Sequence, residues 1–413
     1  MTSKVSYNLS SVPGFDNYIK TGDIEPEYDK YYSVNKYSTK ANEQYNIVRY
    51  NKELLSNELF STYGLLRSVI VSGPKIVSFA PPKSMSGESF INKYPVKNDK
   101  IIAETFVEGT MINVFYDPTY GATGCWQIST RNTVGAEVSF YKWSKKTFNE
   151  MFMEACIVNK FNIQTLNPRF CYSFVLQHPA NRIVVPFKTP QLYLVSVYEI
   201  IHTYDNITVL EENLSEVINS GGWNTTDIKF PETYEFTSYT ELIEKFASAN
   251  TSYDILGVVV KNIETGERTK FRNPIYEEVR HLRGNQTKLQ YQYLALRHSG
   301  KLPDFLKYYP ETKDEMSKFR DHVHMFTNTL HQNYISCYIK KTKPLREYPD
   351  QYRTHMFKIH EQYINDLKPK NSFVTNTVVI KYVNQLHPSL LMYCLNHNMR
   401  KRLVDTIKTD SNI

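Results

Sequence analysis

The chain has 413 residues, 41% of them hydrophobic and 22% charged, which suits two or three packed domains and excludes an intrinsically disordered protein. It holds no apolar run of about 18 residues, so no helical membrane span is expected, and its first twenty residues carry no apolar signal core. The formal charge of +7 is uneven: residues 281–413 carry 21 Lys+Arg against 11 Asp+Glu, while the remainder is net −3. A basic segment beside a near-neutral one suggests an acidic partner, nucleic acid first, with a lysine-rich solvated surface as the plain alternative.

In chain order, residues 1–45 are polar and tyrosine-rich, without clear periodicity, and read as irregular with short helical pieces. A helical pattern follows at 52–66. Strand-like runs at 67–71, 75–79, 112–116 and 126–130 are separated by Gly, Pro, Asn and Asp. Residues 145–159 read as an amphipathic helix, and strands resume at 171–176, 183–186 and 192–201. Residues 203–250 form a variable segment with a helix at 239–249. LGVVVKN (256–262) and RTKFR (268–272), joined by a Gly-Glu turn, read as a hairpin. From residue 275 the apolar spacing is almost entirely helical, which places a boundary near 280. The expectation is an α+β lobe over 1–280, built on a twisted antiparallel sheet, and a basic all-helical lobe over 281–413.

The five cysteines are scattered without metal-ligand spacing, which points to reduced thiols inside a cell. His322 and His324 stand two apart on a helical segment and point about 200° away from each other, so they do not share an ion. No Gly-x-x-x-x-Gly-Lys-Ser/Thr segment is present.

Six stretches stand out by their order: FVEGTM (106–111), ISTRNTVGAE (128–137), FCYSFVLQHPANRIVVPF (170–187), LYLVSVYEI (192–200), LGVVVKN (256–262) and TKFRNPIY (269–276). Together they resemble the motifs of the bacteriophage T-even RNA ligase family, within the covalent nucleotidyltransferases, over roughly residues 65–280. The resemblance implies an RNA ligase-like lobe and, for an active member, adenylation of a lysine, with ATP or GTP and Mg²⁺ as cofactors. An amine nucleophile, metal-holding carboxylates and phosphate-neutralising cations are what that chemistry requires.

Set against those requirements, the nucleophile's position holds Phe106, which has no lone pair. The two carboxylate positions hold Ser173 and Leu256, and the second lysine of the closing motif is Arg272. Lys83, Lys97 and Lys100 precede the motif but lack its spacing. What the resemblance leaves is a binding apparatus: Glu108 toward a ribose, Arg131 and Lys270 toward phosphates, with Lys261, Arg67 and Lys83 as further cations. In the basic lobe the candidate contacts to nucleic-acid backbone are Lys340, Lys341, Lys343 and Arg346, and the cluster Arg400, Lys401, Arg402.

The expectation is a catalytically inactive RNA ligase-like protein that binds RNA, an RNA 5′ end or a nucleotide without reacting. It carries no catalytic residue and no metal site. One alternative is an active ligase with a relocated lysine. Another is a scaffold whose helical lobe docks a protein while Phe106 and Leu256 fill an old pocket. Composition and resemblance together point to a large DNA virus, and to the cytoplasm, a viral factory or a virion as location.

Overall fold

A computed structural model describes residues 4–39, 44–140, 146–203 and 206–399. Two compact units divide it, Met1–Arg280 and His281–Ile413.

In the first unit, a six-stranded sheet runs in the order β1 (Val5–Asn8), β11 (Ile207–Glu211), β10 (Gln191–His202), β9 (Phe170–Gln177), β7 (Thr110–Asp117), β8 (Cys125–Ser129). A second sheet is β2 (Tyr32–Ser38), β3 (Gln44–Tyr50), β4 (Val69–Ser72), β5 (Lys75–Phe79). A third is β12 (Thr233–Tyr234), β6 (Ile101–Thr105), β13 (Gly257–Asn262), β14 (Arg268–Arg272). The strand pairs within these sheets are antiparallel. The helices between them are α1 (Phe15–Thr21), α2 (Pro26–Asp29), α3 (Gly87–Lys93), α4 (Phe148–Val158), α5 (Leu214–Asn219), α6 (Tyr239–Phe246) and α7 (Pro274–Arg283).

Alternation along β7 and β9 sets the layers. Ile112, Val114, Tyr172, Phe174 and Leu176 point to a core shared with α4, which starts in a capping box between Thr147 and Glu150. Phe115 and Cys171 point the other way, into a core with the second sheet. The third sheet packs one face on α3 and α6 through Ala103, Val258 and Val260.

Several expectations are corrected here. Residues 52–66 form two 3₁₀ turns instead of a helix. Just before that stretch Asn51 offers a local alternative to helical bonding, its Oδ1 accepting from the Glu53 N–H. Residues 183–186 are not a strand, because the N–H groups of Val184 and Val185 donate to the Glu108 carboxylate instead of a ladder. The first 45 residues hold β1, β2 and the start of β3, and β6 and β11 were likewise unread. Tyr32, Tyr45 and Tyr50 share the buried positions of β2 and β3 with Ile47 and Val48, so tyrosines do part of the work of aliphatic core residues. The expected α+β architecture with antiparallel pairing is present, its strands spread over three sheets among the described residues.

The second unit contains α8 (Leu289–His298), α9 (Leu302–Tyr308), α10 (Lys313–Tyr334), α11 (Asp350–Gln362), α12 (Asn376–Gln385) and α13 (Pro388–Leu395). Stacking of Phe326 on Tyr352 and of Tyr338 on His360 sets α10 and α11 side by side in the same direction. Each runs into a π-turn, Ile335–Ile339 and Tyr363–Leu367. Among the described residues no helix is long and apolar enough to cross a membrane.

Two motif glycines have positive φ, Gly109 at 149° and Gly257 at 132°. A Cβ on Gly257 would lie 2.0 Å from the Phe271 carbonyl oxygen, which is backbone and cannot swing aside. Gly257→Ala is expected to destabilise the first unit by about 3 kcal/mol or more, through strain and loss of the β13–β14 hairpin. Urea denaturation measures this; a variant within about 0.5 kcal/mol of wild type would show that the hairpin relaxes freely.

A cationic cleft as the candidate functional site

Strand β14 reads RTKFR, and its period-two alternation sends Thr269 and Phe271 to the core side while Arg268, Lys270 and Arg272 share the opposite face. Register then aligns Glu104, Val259 and Lys270 across β6, β13 and β14. This face and the Met111, Val175 and Val195 side of the six-stranded sheet enclose a cavity of about 310 Å³. Its lining includes five cations, Arg67, Arg268, Lys270, Arg272 and Arg280, against two acids, Glu104 and Glu108.

The acids are already engaged. Glu104 pairs with Lys261 at 3.0 Å. Burial alone would lower the lysine's pKa, but the charges of Glu104 and Glu211 raise it above the ordinary value. Glu108 is buried and accepts the Val184 N–H at 2.9 Å and the Val185 N–H at 3.1 Å. Tyr276 also bonds its carboxylate, and burial outweighs these bonds to push the Glu108 pKa upward. Glu277, beside the cleft, lies 3.4 Å from Arg272 and 3.2 Å from Arg280.

The cations are left less well matched. Among the described residues neither Arg67 nor Lys270 makes an ion pair. Burial, reinforced by Arg268, pushes Arg67 down to about 10. Arg268 donates to the Pro82 carbonyl at 2.7 Å, while its Nε is buried without a hydrogen-bond partner. Burial first, then Arg268, Arg67, Arg272 and Lys83, holds Lys270 well below the usual lysine range.

Phe106 sits among them. The Lys270 ammonium nitrogen lies 4.5 Å from its ring centroid and the Arg272 guanidinium carbon 5.6 Å away. Such contacts stabilise a cation by about 0.5–2 kcal/mol, well short of the several kcal/mol that removing a charge from water costs. The cluster therefore remains under-compensated and favours an anion.

Asn273 fixes the last wall. Its side-chain amide donates to the carbonyls of Ser252 at 2.7 Å and Ile255 at 2.9 Å, and its Oδ1 accepts the Ile275 N–H at 2.9 Å. With Pro274 as the first residue of α7, this sets the helix so that Tyr276 and Arg280 line the cleft.

Of the residues singled out from sequence, the cleft brings together Arg67, Phe106, Glu108, Leu256, Lys270 and Arg272. Lys83 lies outside the lining, its Nζ 3.1 Å from the Ser84 carbonyl, and contributes to the field on Lys270. Arg131 is also outside, over the Tyr50 ring at 5.9 Å. Lys261 is held in its ion pair. Ser173 is fully buried and donates to Asn113 Oδ1 at 2.8 Å. Lys340, Lys341, Lys343 and Arg346 are exposed in the helical unit, with Lys343 4.5 Å from the Tyr348 ring centroid. Arg400, Lys401 and Arg402 lie outside the described residues.

Sequence reasoning missed Arg268 and Arg280. The alternation of RTKFR carried the signal for Arg268; Arg280 follows from its place one helical turn past Tyr276. The residues present do not fit a divalent ion, since Ser173 bonds Asn113, Leu256 is apolar, and both cleft carboxylates are taken.

No protein-family model matches the chain. It is 25% identical over 319 residues to an RNA ligase of Rhodothermus phage RM378, spanning 70% of this chain and 69% of that protein. The chain is RNA ligase-like. A second relative, an immediate-early protein ICP-46 homolog of Invertebrate iridescent virus 6, is 25% identical over 362 residues, or 79% and 75% of the two chains. Among solved structures, an archaeal ATP-dependent RNA ligase superposes with a TM-score of 0.39 at 11% identity, over 75% of this chain and 78% of that one. A Naegleria gruberi RNA ligase mutant with ATP and Mn gives 0.35 at 13% identity, over 68% and 85%.

The state of Lys270 has a measurable consequence. The unfolded chain binds a proton at this lysine that the folded chain holds weakly, so the group opposes folding at neutral pH. That opposition is complete below the folded-state pKa and gone above the ordinary lysine pKa of about 10.4. Lys270→Met is expected to melt higher than wild type at about pH 7, the gap closing as pH approaches about 10. Melting curves across that range that coincide throughout would mean the amine is solvated or paired.

Proposed function

We propose that this RNA ligase-like chain holds a nucleotide, or the phosphorylated 5′ end of an RNA, without covalent attachment. It is then a degenerate relative of the T-even RNA ligases in which the cleft remains and the nucleophile does not. The observation that carries the reading is Phe106, at the nucleophile's position, lying under Lys270 and Arg272 in a cavity whose cations outnumber its acids. Phosphate oxygens would take the place of the missing counter-charges, with Arg67, Arg268 and Lys270 as direct partners and Arg272 and Arg280 at the rim. Exposed Lys340, Lys341, Lys343 and Arg346 of the helical unit would add contacts to RNA backbone.

One observation favours a second reading, that of an active enzyme with a relocated nucleophile. Lys270 is half-buried, makes no ion pair among the described residues and holds its proton weakly, and an unprotonated amine is what a nucleophile requires. Incubation with α-³²P-ATP or α-³²P-GTP and Mg²⁺ or Mn²⁺, read on a denaturing gel, separates the two. No labelled band is expected. A band abolished by Lys270→Met would establish the enzyme. In parallel, affinity for a 5′-phosphorylated RNA is expected to fall about tenfold or more between roughly 50 and 200 mM salt, and a flat profile would remove phosphate recognition from the reading.

A further inference from the structure

Helices α10 and α11 end alike. Each passes directly into a five-residue π-turn, closed by the Lys340 N–H on the Ile335 carbonyl at 2.9 Å and by the Lys368 N–H on the Tyr363 carbonyl. Each then reverses through a residue with left-handed φ, Lys341 at 54° and Asn371 at 53°. Because the helices run side by side in the same direction, the two ends lie together. Asparagine suits that backbone, whereas lysine is strained there, so Lys341 is not the residue that the turn itself asks for. π-turns are rare and occur frequently at functional sites.

Rings gather at this paired end. Tyr338 lies 3.9 Å from His360 with 13° between their planes, and Tyr363 lies 5.8 Å from the same imidazole at 28°. Tyr334 anchors the group, buried and with its hydroxyl 3.3 Å from His360 Nδ1. Tyr363 is partly exposed. Phe373, just past the Ser372 N–H that bonds the Leu367 carbonyl at 2.9 Å, is 73% exposed. Residues 335–341 and 363–371 also hold four lysines, Lys340, Lys341, Lys368 and Lys370, all exposed and without an ion pair among the described residues. Asp366 is the one acid in those two stretches. It offsets one lysine, and the two carbonyl ends, each worth about half a negative charge, offset another. Positive charge is left over, beside exposed rings.

We infer that the paired end of α10 and α11 is a stacking platform for unpaired RNA bases, with the four lysines on the flanking phosphates, so that the helical unit selects single-stranded RNA over duplex. The inference rests on the reading of the helical unit as a surface for RNA backbone and adds a preference among RNAs. Lysines alone would hold either form. Paired bases offer no face to a ring, whereas a splayed base stacks on tyrosine or phenylalanine. Stacking tolerates any base, so the platform reads strandedness before sequence.

Fluorescence anisotropy with the full chain tests this. Its two probes carry 5′-hydroxyl ends and so offer the cationic cleft no terminal phosphate: a single-stranded oligouridylate and an RNA duplex of the same length. Wild type is expected to bind the single strand about tenfold more tightly. Tyr363→Ala and Phe373→Ala are each expected to lower single-strand affinity about tenfold, the scale of one lost base–aromatic stack, and to leave duplex affinity unchanged. Tyr363→Phe, which keeps the ring, is expected to bind as wild type does. Lys340→Gln combined with Lys368→Gln is expected to weaken both probes and to make the single-strand salt slope shallower by about 0.7 per lysine. Thermal melts of each variant establish that it is folded. Equal wild-type affinity for the two probes overturns the inference. So does a single-strand-to-duplex ratio that neither ring substitution changes while the lysine substitutions weaken both probes, and that result leaves the backbone surface standing. Lysine substitutions that alter neither affinity remove the backbone surface, and this inference with it.

Discussion

The feature on which the cleft depends is positive charge in excess of the negative charge that faces it. Three cations from one short strand, joined by Arg67 and Arg280, converge on a half-enclosed cavity. Folding tolerates this only because much else is tightly fixed. Gly257 lets β13 close on β14, Asn273 ties the helix start to the 251–255 loop, and Glu108 binds the 184–185 amides that would otherwise be unsatisfied. Each acid near the cations already serves a structural bond. The electrostatic imbalance is therefore built into the scaffold, and strain of this kind concentrates where proteins bind ligands.

Phe106 fits that balance better than a lysine would. A sixth cation in the same cavity would add repulsion to Arg67, Arg268 and Lys270, and the proton affinities of Arg67 and Lys270 are already depressed. An aromatic ring instead offers its negative face to two of them. In an adenylating enzyme the cavity's charge would be matched by the nucleotide and its metal. Here Leu256 adds no charge to the cavity wall, whose cations outnumber its acids.

Much of the cleft was legible because it is assembled from local patterns. The hairpin at 256–272, the glycine after Glu108 and the alternation of RTKFR all announce themselves within a few residues. What was illegible depends on partners distant in sequence. Residues 183–186 look like a strand until Glu108, some 75 positions earlier, takes their amides. Strands β2 and β3 are hidden because tyrosine reads as polar from composition and behaves as core once its hydroxyl finds a partner, as Tyr45 does on Asp117. Lys261 looked like a free cation by motif, and only the cross-strand register places Glu104 beside it. Burial of Lys270 likewise needs the facing sheet.

Charge distribution also bears on what kind of polyanion suits the cleft. Residues 1–280 are net −3 although they contain this dense group of cations, so the rest of that unit carries the acidic excess. A protein that tracks a nucleic-acid backbone spreads positive charge along a groove, since each phosphate it covers needs its own partner. Here cations are gathered in one cavity of a few hundred Å³, with Lys83 and Arg131 close enough to act on Lys270 and Arg67. On the proposed reading such a group would take a terminus or a single nucleotide in preference to the middle of a strand. The basic helical unit, at net +10 over residues 281–413, has the opposite character, with exposed lysines spread over helices and loops and suited to continuous backbone. Salt should act differently on the two sets of cations: steeply on the exposed lysines of the helical unit, less on the partly buried cleft, where screening is weaker.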